Sequence, residues 1–181
     1  MSSIKPALTL LAVTTVSALL LGILYNITRE PIMQQQITRQ REIIADLLPG
    51  TVQTHEEVID NHPALIKFVA GYNLNGELIG YTVRASSPGC GGPVEIMAGF
   101  DMYGRLTGVR ILHQRETPGL GTAIQNPSFL NQFAGRTETM TVTRIPTTNN
   151  EIAALASATI STEAVVNGVN AAIEYIRGRL N

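Results

Sequence analysis

The chain has 181 residues and a mass of 19.5 kDa, enough for one domain and too short for two large ones. A net charge of −1 and a pI near 6.3 leave no electrostatic footprint for nucleic acid. A single Cys excludes an internal disulfide framework and a Cys-built zinc or iron–sulfur site, and the three His (His55, His62, His113) lack metal-ligand spacing.

The hydrophobic surplus lies at the N-terminus. No charged residue occurs between Lys5 and Arg29, so Ala7 to Thr28 is an uncharged run of 22 residues. About 20 apolar residues span a bilayer core as a helix. Thr and Ser inside the run can bond back to the helix backbone, and Tyr25 sits where an interfacial aromatic belongs. A cleaved signal peptide would have a shorter apolar region and a small-x-small cleavage site, which LYNITREP does not offer. A pilin-like start lacks its Gly-Phe junction and early Glu. The expectation is one uncleaved span within residues 1–29, whose orientation the near-balanced flanking charges do not fix.

Residues 30–50 read as a second helical stretch. Ile37, Ile44 and Leu48, with Ile43 and Leu47, have helical spacing, and Pro49-Gly50 ends it. It reads equally as a stalk leading away from the membrane or as a surface helix of the domain that follows. Residues 51–181 form that domain, of α+β class.

The domain opens on an internal repeat. Gly71 to Val83 and Gly99 to Ile111 share the pattern G-[YF]-[ND]-x-x-G-x-L-x-G-x-x-[VI], offset by 28 residues. Each copy has an apolar run, a turn ending in Gly and an alternating run, the signal of a β-hairpin. Ile66–Tyr72 would pair with Leu78–Arg84 and Val94–Phe100 with Leu106–His113, giving a four-stranded antiparallel sheet. Between the hairpins, residues 86–93 (SSPGCGGP) read as a loop with left-handed positions. Nothing basic flanks Cys90 to activate it, so it reads as an incidental thiol.

Further on, Asn126-Pro127 starts a short helix through Phe133. Met140–Arg144 is a short strand and Pro146–Asn150 a turn. The last helix is expected from about Ser161 to Leu180, with Val165, Val169, Ala172, Ile173, Ile176 and Leu180 on its apolar face and Ser161 or Thr162 as N-cap. Gly168 inside it suggests close packing.

Two segments carry chemistry. In Glu116-Thr117-Pro118-Gly119-Leu120-Gly121, Pro-Gly fits the centre of a type II turn. The segment is either a tight connection or a loop around the edge of a planar ligand, with Glu116 and Thr117 as polar contacts. Ala156-Ser157-Ala158-Thr159-Ile160-Ser161-Thr162 is either a Ser/Thr-rich cap or a phosphate seat at a helix start, where free N–H groups and the dipole favour an anion.

Together the anchor, GY…NGELIGY, GGPVEIMAGFD…GRLTGVRILHQRETPGLG, NPSFLNQFAG and NEI…ATIST…VVNGVNAAI resemble the G subunit of the Rnf electron-transport complex, in family order and over nearly the whole chain. The clostridial-type branch is most similar. The likeness to the C subunit of the Na+-pumping NADH:quinone oxidoreductase is more distant. The resemblance implies an antiparallel-sheet FMN-binding domain on the outer face of the cytoplasmic membrane. It also implies FMN joined through its phosphate to a Thr hydroxyl by a flavin transferase. The last Thr of the family's [ST]-G-A-T motif falls on Thr159 and its Ala on Ala158. Ala156 stands in place of the usual Ser/Thr, Ser157 in place of the Gly, and Ala153 where an Asp is often found. By this resemblance Ser157, Ala158, Thr159, Ile160, Glu116, Thr117, Leu120 and Gly121 surround the flavin.

The implied role is electron relay in a complex that couples reduced ferredoxin and NAD to Na+ or H+ translocation. Its partners would be the complex's other membrane and peripheral subunits, the transferase and membrane lipid, with no nucleic acid. No general acid, base, nucleophile or metal ligand is assigned, and no GxGxxG opens a helix after a strand, so the NAD and ferredoxin sites belong to other subunits. The altered motif leaves open a purely structural subunit without covalent flavin. A stand-alone membrane-anchored reductase would need a cluster of ionisable groups that is not visible.

Overall fold

A computed structural model describes residues 4–180. Residues 1–3 and 181, the outermost of the expected anchor and of the domain, lie outside the described residues. The chain divides into two compact units, Met1–Glu42 and Ile43–Asn181.

Helix α1 runs from Ile4 to Leu47. Its Pro6–Tyr25 stretch is long and apolar enough to cross a membrane and is not buried within the protein. The hydroxyls inside it bond back to the helix as the sequence suggests. Thr14 donates to the carbonyls of Leu10 and Leu11 at 3.0 Å, and Thr15 donates to Leu11 at 2.7 Å.

In the second unit, β1 (Gln53–Val58), β2 (Leu65–Tyr72), β3 (Leu78–Pro88), β4 (Pro93–Asp101) and β5 (Leu106–His113) form one antiparallel sheet in sequence order. Both expected hairpins are present, but the sheet has five strands rather than four. The added strand, QTHEEV, is exposed along its whole length. An edge strand with neither face buried has no alternation to betray it, and its charges suit an open edge. A further difference lies between the hairpins. Ser86–Pro88 continue β3, Pro88 pairs with Pro93, and only residues 89–92 turn.

Helix α3 (Thr159–Leu180) covers one face of the sheet. Val165, Val169, Ala172, Ile173 and Ile176 are buried there with Phe68, Val83, Ile96, Ala98 and Phe100, whereas Leu180, expected on the same face, is exposed at the helix end. Gly168 permits the contact, because a Cβ there would lie 3.1 Å from Ile96 Cδ1. β6 (Thr141–Thr143) pairs in parallel with β7 (Glu151–Ala153) as a separate two-stranded sheet. The Asn170 side chain on α3 bonds both backbone groups of Met140 at 2.8 Å, beside that small sheet.

The opposite face explains the repeat. Gly71 pairs with Gly80 and Gly99 with Gly108, directly across their hairpins. All four lie under the last turn of α1. A Cβ on Gly71 or Gly80 would crowd Leu48, and one on Gly99 or Gly108 would crowd Leu47. Leu47 and Leu48 are buried in that bed, and Ile44 packs with Val69 and Met97. The bare backbone of each hairpin is therefore a seat for the helix end.

Two outcomes follow from this packing. Gly80→Ala should destabilise the protein by about 1–3 kcal/mol, because its Cβ would overlap the Phe100 carbonyl, which cannot move aside. Gly178→Ala, with nothing within 4 Å, should instead gain about 0.5–1 kcal/mol of helix propensity. Thermal midpoints of the full chain in detergent separate the two signs.

The Glu151 carboxyl is held below its ordinary value, chiefly by the Thr147 backbone N–H, and with help from Thr148 and the Thr147 hydroxyl. A lowered value means that the carboxylate's stabilising bonds are complete above the usual carboxyl range and are lost as pH falls through the lowered one. Glu151→Gln should therefore melt below wild type at neutral pH, with the gap closing in acid.

Candidate functional site

Strand β5 ends at His113, and the chain turns inward at Glu116. That residue is only 6% exposed. Its Oε2 accepts from the Ser161 hydroxyl at 2.6 Å, and its Oε1 accepts from the Gly91 N–H at 3.1 Å. One side chain thus joins three segments: the turn between β3 and β4, the segment after β5, and the start of α3. Glycines make room for it. A Cβ on Gly89 would overlap Glu116 Oε1, and one on Gly121 would lie 2.6 Å from both Cβ and Oε2 of Glu116. On Gly91 a Cβ would strike the Arg115 carbonyl.

Beyond Glu116 the chain makes the expected type II turn. The Leu120 N–H donates to the Thr117 carbonyl at 3.2 Å, and Gly119 has φ +78° at the position that demands it. A 3-10 turn, Gly121–Gln125, follows and leads into α2 (Pro127–Leu130). Leu120 is left 48% exposed.

The start of α3 differs from its sequence reading. The helix begins at Thr159, two residues earlier than expected. Its first intrahelical bond runs from the Thr162 N–H to the Ala158 carbonyl. Neither Ser161 nor Thr162 is the N-cap. The Ser161 hydroxyl is taken by Glu116. The Thr162 hydroxyl donates to the Ala158 carbonyl at 2.9 Å and accepts from the Leu155 N–H at 3.2 Å. A distant carboxylate takes the Ser161 hydroxyl and the preceding turn takes the Thr162 hydroxyl, and, as at any helix start, the first N–H groups, from Thr159 to Ser161, have no intrahelical acceptor. Thr159 itself is exposed and Ala158 is buried beneath it.

The turn into the helix is strained. Ser157 has φ +64° and is the non-glycine residue with positive φ among the described residues. A left-handed conformation costs a residue with a Cβ about 1–2 kcal/mol. This is the motif position at which the resembling family has Gly.

The two segments singled out by sequence meet here. Cys90, Glu116, Thr117, Leu120, Gly121, Ser157, Ala158, Thr159, Ile160 and Ser161 line one cavity of about 340 Å3. That volume lies within the range of small-molecule sites. The eight residues named from sequence all line it. Ser161 and Cys90 join them. Sequence reads Ser161 as a cap and Cys90 as incidental, because only the fold brings the glycine-rich turn to the mouth of α3. Other cavities, near 290 and 410 Å3, lie around Ile176 and Leu180 at the far end of α3 and hold none of these residues. Chemically, the cavity combines the first turn of a helix and the exposed Thr159 with two half-exposed apolar side chains, Leu120 and Ile160 (48% and 55%). Such a set suits a ligand with an anionic end and a flat apolar body.

Residues 89–174, which contain this cavity, match the FMN-binding domain family. The whole chain is similar to the G subunit of the ion-translocating oxidoreductase complex of Methanosarcina acetivorans, 28% identical over 95% of this chain and 93% of that one. It is 38% identical to the G subunit of the Na+-translocating ferredoxin:NAD+ oxidoreductase complex of Acetobacterium woodii, over 55% of this chain and 50% of that protein. These relatives bear out the resemblance to the Rnf G subunit drawn from the motifs. Among solved structures, NqrC of Shewanella oneidensis has the same fold, with a TM-score of 0.52 at 13% identity over 72% of this chain and 80% of that one. The C subunit of the Na+-translocating NADH-quinone reductase from Parabacteroides distasonis gives 0.51 at 18% identity, over 66% and 75%.

Ser157→Gly should raise stability by about 0.5–1 kcal/mol, the relieved strain less the greater unfolded freedom of Gly. Ser157→Val, branched at Cβ, should lower it. Denaturant midpoints of the three proteins order the series.

Proposed function

We propose that this chain is the flavin-carrying electron-relay subunit of a membrane-bound, ion-translocating ferredoxin:NAD+ oxidoreductase, with FMN joined through its phosphate to the Thr159 hydroxyl. One observation carries the reading. Two segments 35 or more residues apart in sequence, 116–121 and 157–161, line a single cavity at the helix end where Thr159 is exposed.

The residues fit the group. The N–H groups from Thr159 to Ser161 and the helix dipole stabilise a phosphodiester's charge. Leu120 and Ile160 offer apolar surface to the ring system, and Thr117 offers a hydroxyl at its edge. Gly121 lets backbone approach where a Cβ would clash. FMN, when bound, supplies the electron chemistry. The chain positions it, and a covalent tether keeps its local concentration high outside the cell.

In this reading residues 1–29 anchor the protein in the cytoplasmic membrane, 30–50 form the stalk helix, and 51–181 form the flavin domain on the extracytoplasmic side. The partners are the remaining subunits of the complex, membrane lipid and, for maturation, a flavin transferase. A second reading, a structural subunit of the same complex without covalent flavin, is favoured by Ala156 and by the Cβ that Ser157 carries at a left-handed position.

The two readings part on a denaturing gel. Chain from transferase-positive cells should fluoresce and gain the mass of one FMN less water. Thr159→Ala and transferase-negative cells should give a dark band of unmodified mass. A dark wild-type band from transferase-positive cells would reject the covalent link and favour the structural subunit.

A further inference from the structure

The Glu116 carboxylate does more than hold walls together. Both of its oxygens accept, Oε1 from the Gly91 N–H and Oε2 from the Ser161 hydroxyl, the pattern of an ionised acid. Neither donor carries a charge. Among the described residues the ion pairs are Lys67–Glu56, Arg84–Glu95, Arg110–Asp46 and Arg179–Glu57, and Glu116 belongs to none of them. Its negative charge is therefore fixed in direction by two hydrogen bonds, 6% exposed, and unopposed by any cation in that set. Gly89 and Gly121 leave the side chain the space that a Cβ at either position would take. It also lines the cavity with Thr159.

On the reading of that cavity as the flavin seat, we infer that Glu116 sets the reduction potential of the bound flavin, holding it low. Reduction adds electron density to the ring system. A fixed negative charge in the wall, poorly screened by salt because it is buried, opposes that addition and favours the oxidised form. Glu116 is on this account a positioning residue for the walls and a tuning residue for the cofactor. The two roles separate experimentally because Gln keeps the shape and loses the charge.

The test is a spectroelectrochemical titration of the flavin on the full-length chain in detergent, comparing wild type, Glu116→Gln, Glu116→Asp and Ser161→Ala. The expected result is an upward shift of the midpoint potential in Glu116→Gln, with no upward shift in Glu116→Asp or Ser161→Ala, which keep the carboxylate. An unmoved or lowered potential in Glu116→Gln would overturn the inference. If Glu116→Gln fails to hold flavin, Glu116→Ala is titrated in its place beside Ser161→Ala. A rise in Glu116→Ala alone supports the charge, and an unmoved potential in Glu116→Ala, or an equal rise in Ser161→Ala, overturns the inference. Wild type without any flavin would overturn the functional reading and this inference with it. Flavin-loaded wild type with charge-insensitive potential would overturn this inference alone.

Discussion

The cavity depends on one carboxylate reaching two segments of chain. Glu116 accepts from the Ser161 hydroxyl at the head of α3 and from the Gly91 N–H in the turn between β3 and β4. Each bond spans a large gap in sequence, and each would be costly to leave unmade in a buried place. The surrounding glycines are a consequence. Gly89, Gly91 and Gly121 stand where a Cβ would meet Glu116 or its neighbour's backbone. The bond to Ser161 also ties the first turn of α3 to the wall of the cavity.

The two faces of the sheet do different work. One carries the apolar core under α3 and delivers the start of that helix to the cavity. The other carries four bare glycines, paired across two hairpins, under Leu47 and Leu48. The repeat that a reader of the sequence notices first is thus unrelated to the ligand. It is the same hairpin used twice, each time with glycine at the level where a helix must come close. The repeat is visible in the sequence. Its purpose is not, because the helix that occupies the seat lies more than 20 residues upstream.

What sequence makes legible follows the strength of local signals. Hairpins with Gly-ended turns, the type II turn at Pro118-Gly119 and the amphipathic face from Val165 to Ile176 all carry local patterns, and all are present. β1 is exposed on both faces, so burial leaves no period in it. β7 is three residues long and pairs with β6 in a two-stranded sheet. Sequence places the helix start two residues late because Ser161 and Thr162 are good capping residues, whereas the Ser161 hydroxyl is taken by Glu116 and the Thr162 hydroxyl bonds back to Ala158. The cavity residues stand in the sequence as two separate segments. Their meeting, and the presence of Cys90 beside them, is a property of the fold. Ser157 is the place where local preference and structure disagree. A side chain sits in a left-handed conformation beside the proposed acceptor threonine, and strain of that kind collects at functional sites.

The central claim is that the cavity between residues 116–121 and 157–161 seats the flavin. An experimental density map of the flavin-loaded chain tests it most directly. The account predicts a phosphate at the first turn of α3, continuous with the Thr159 side chain, and a ring system against Leu120 and Ile160. A flavin whose phosphate lies away from that turn, or whose ring occupies the cavities around Ile176 and Leu180, would contradict it.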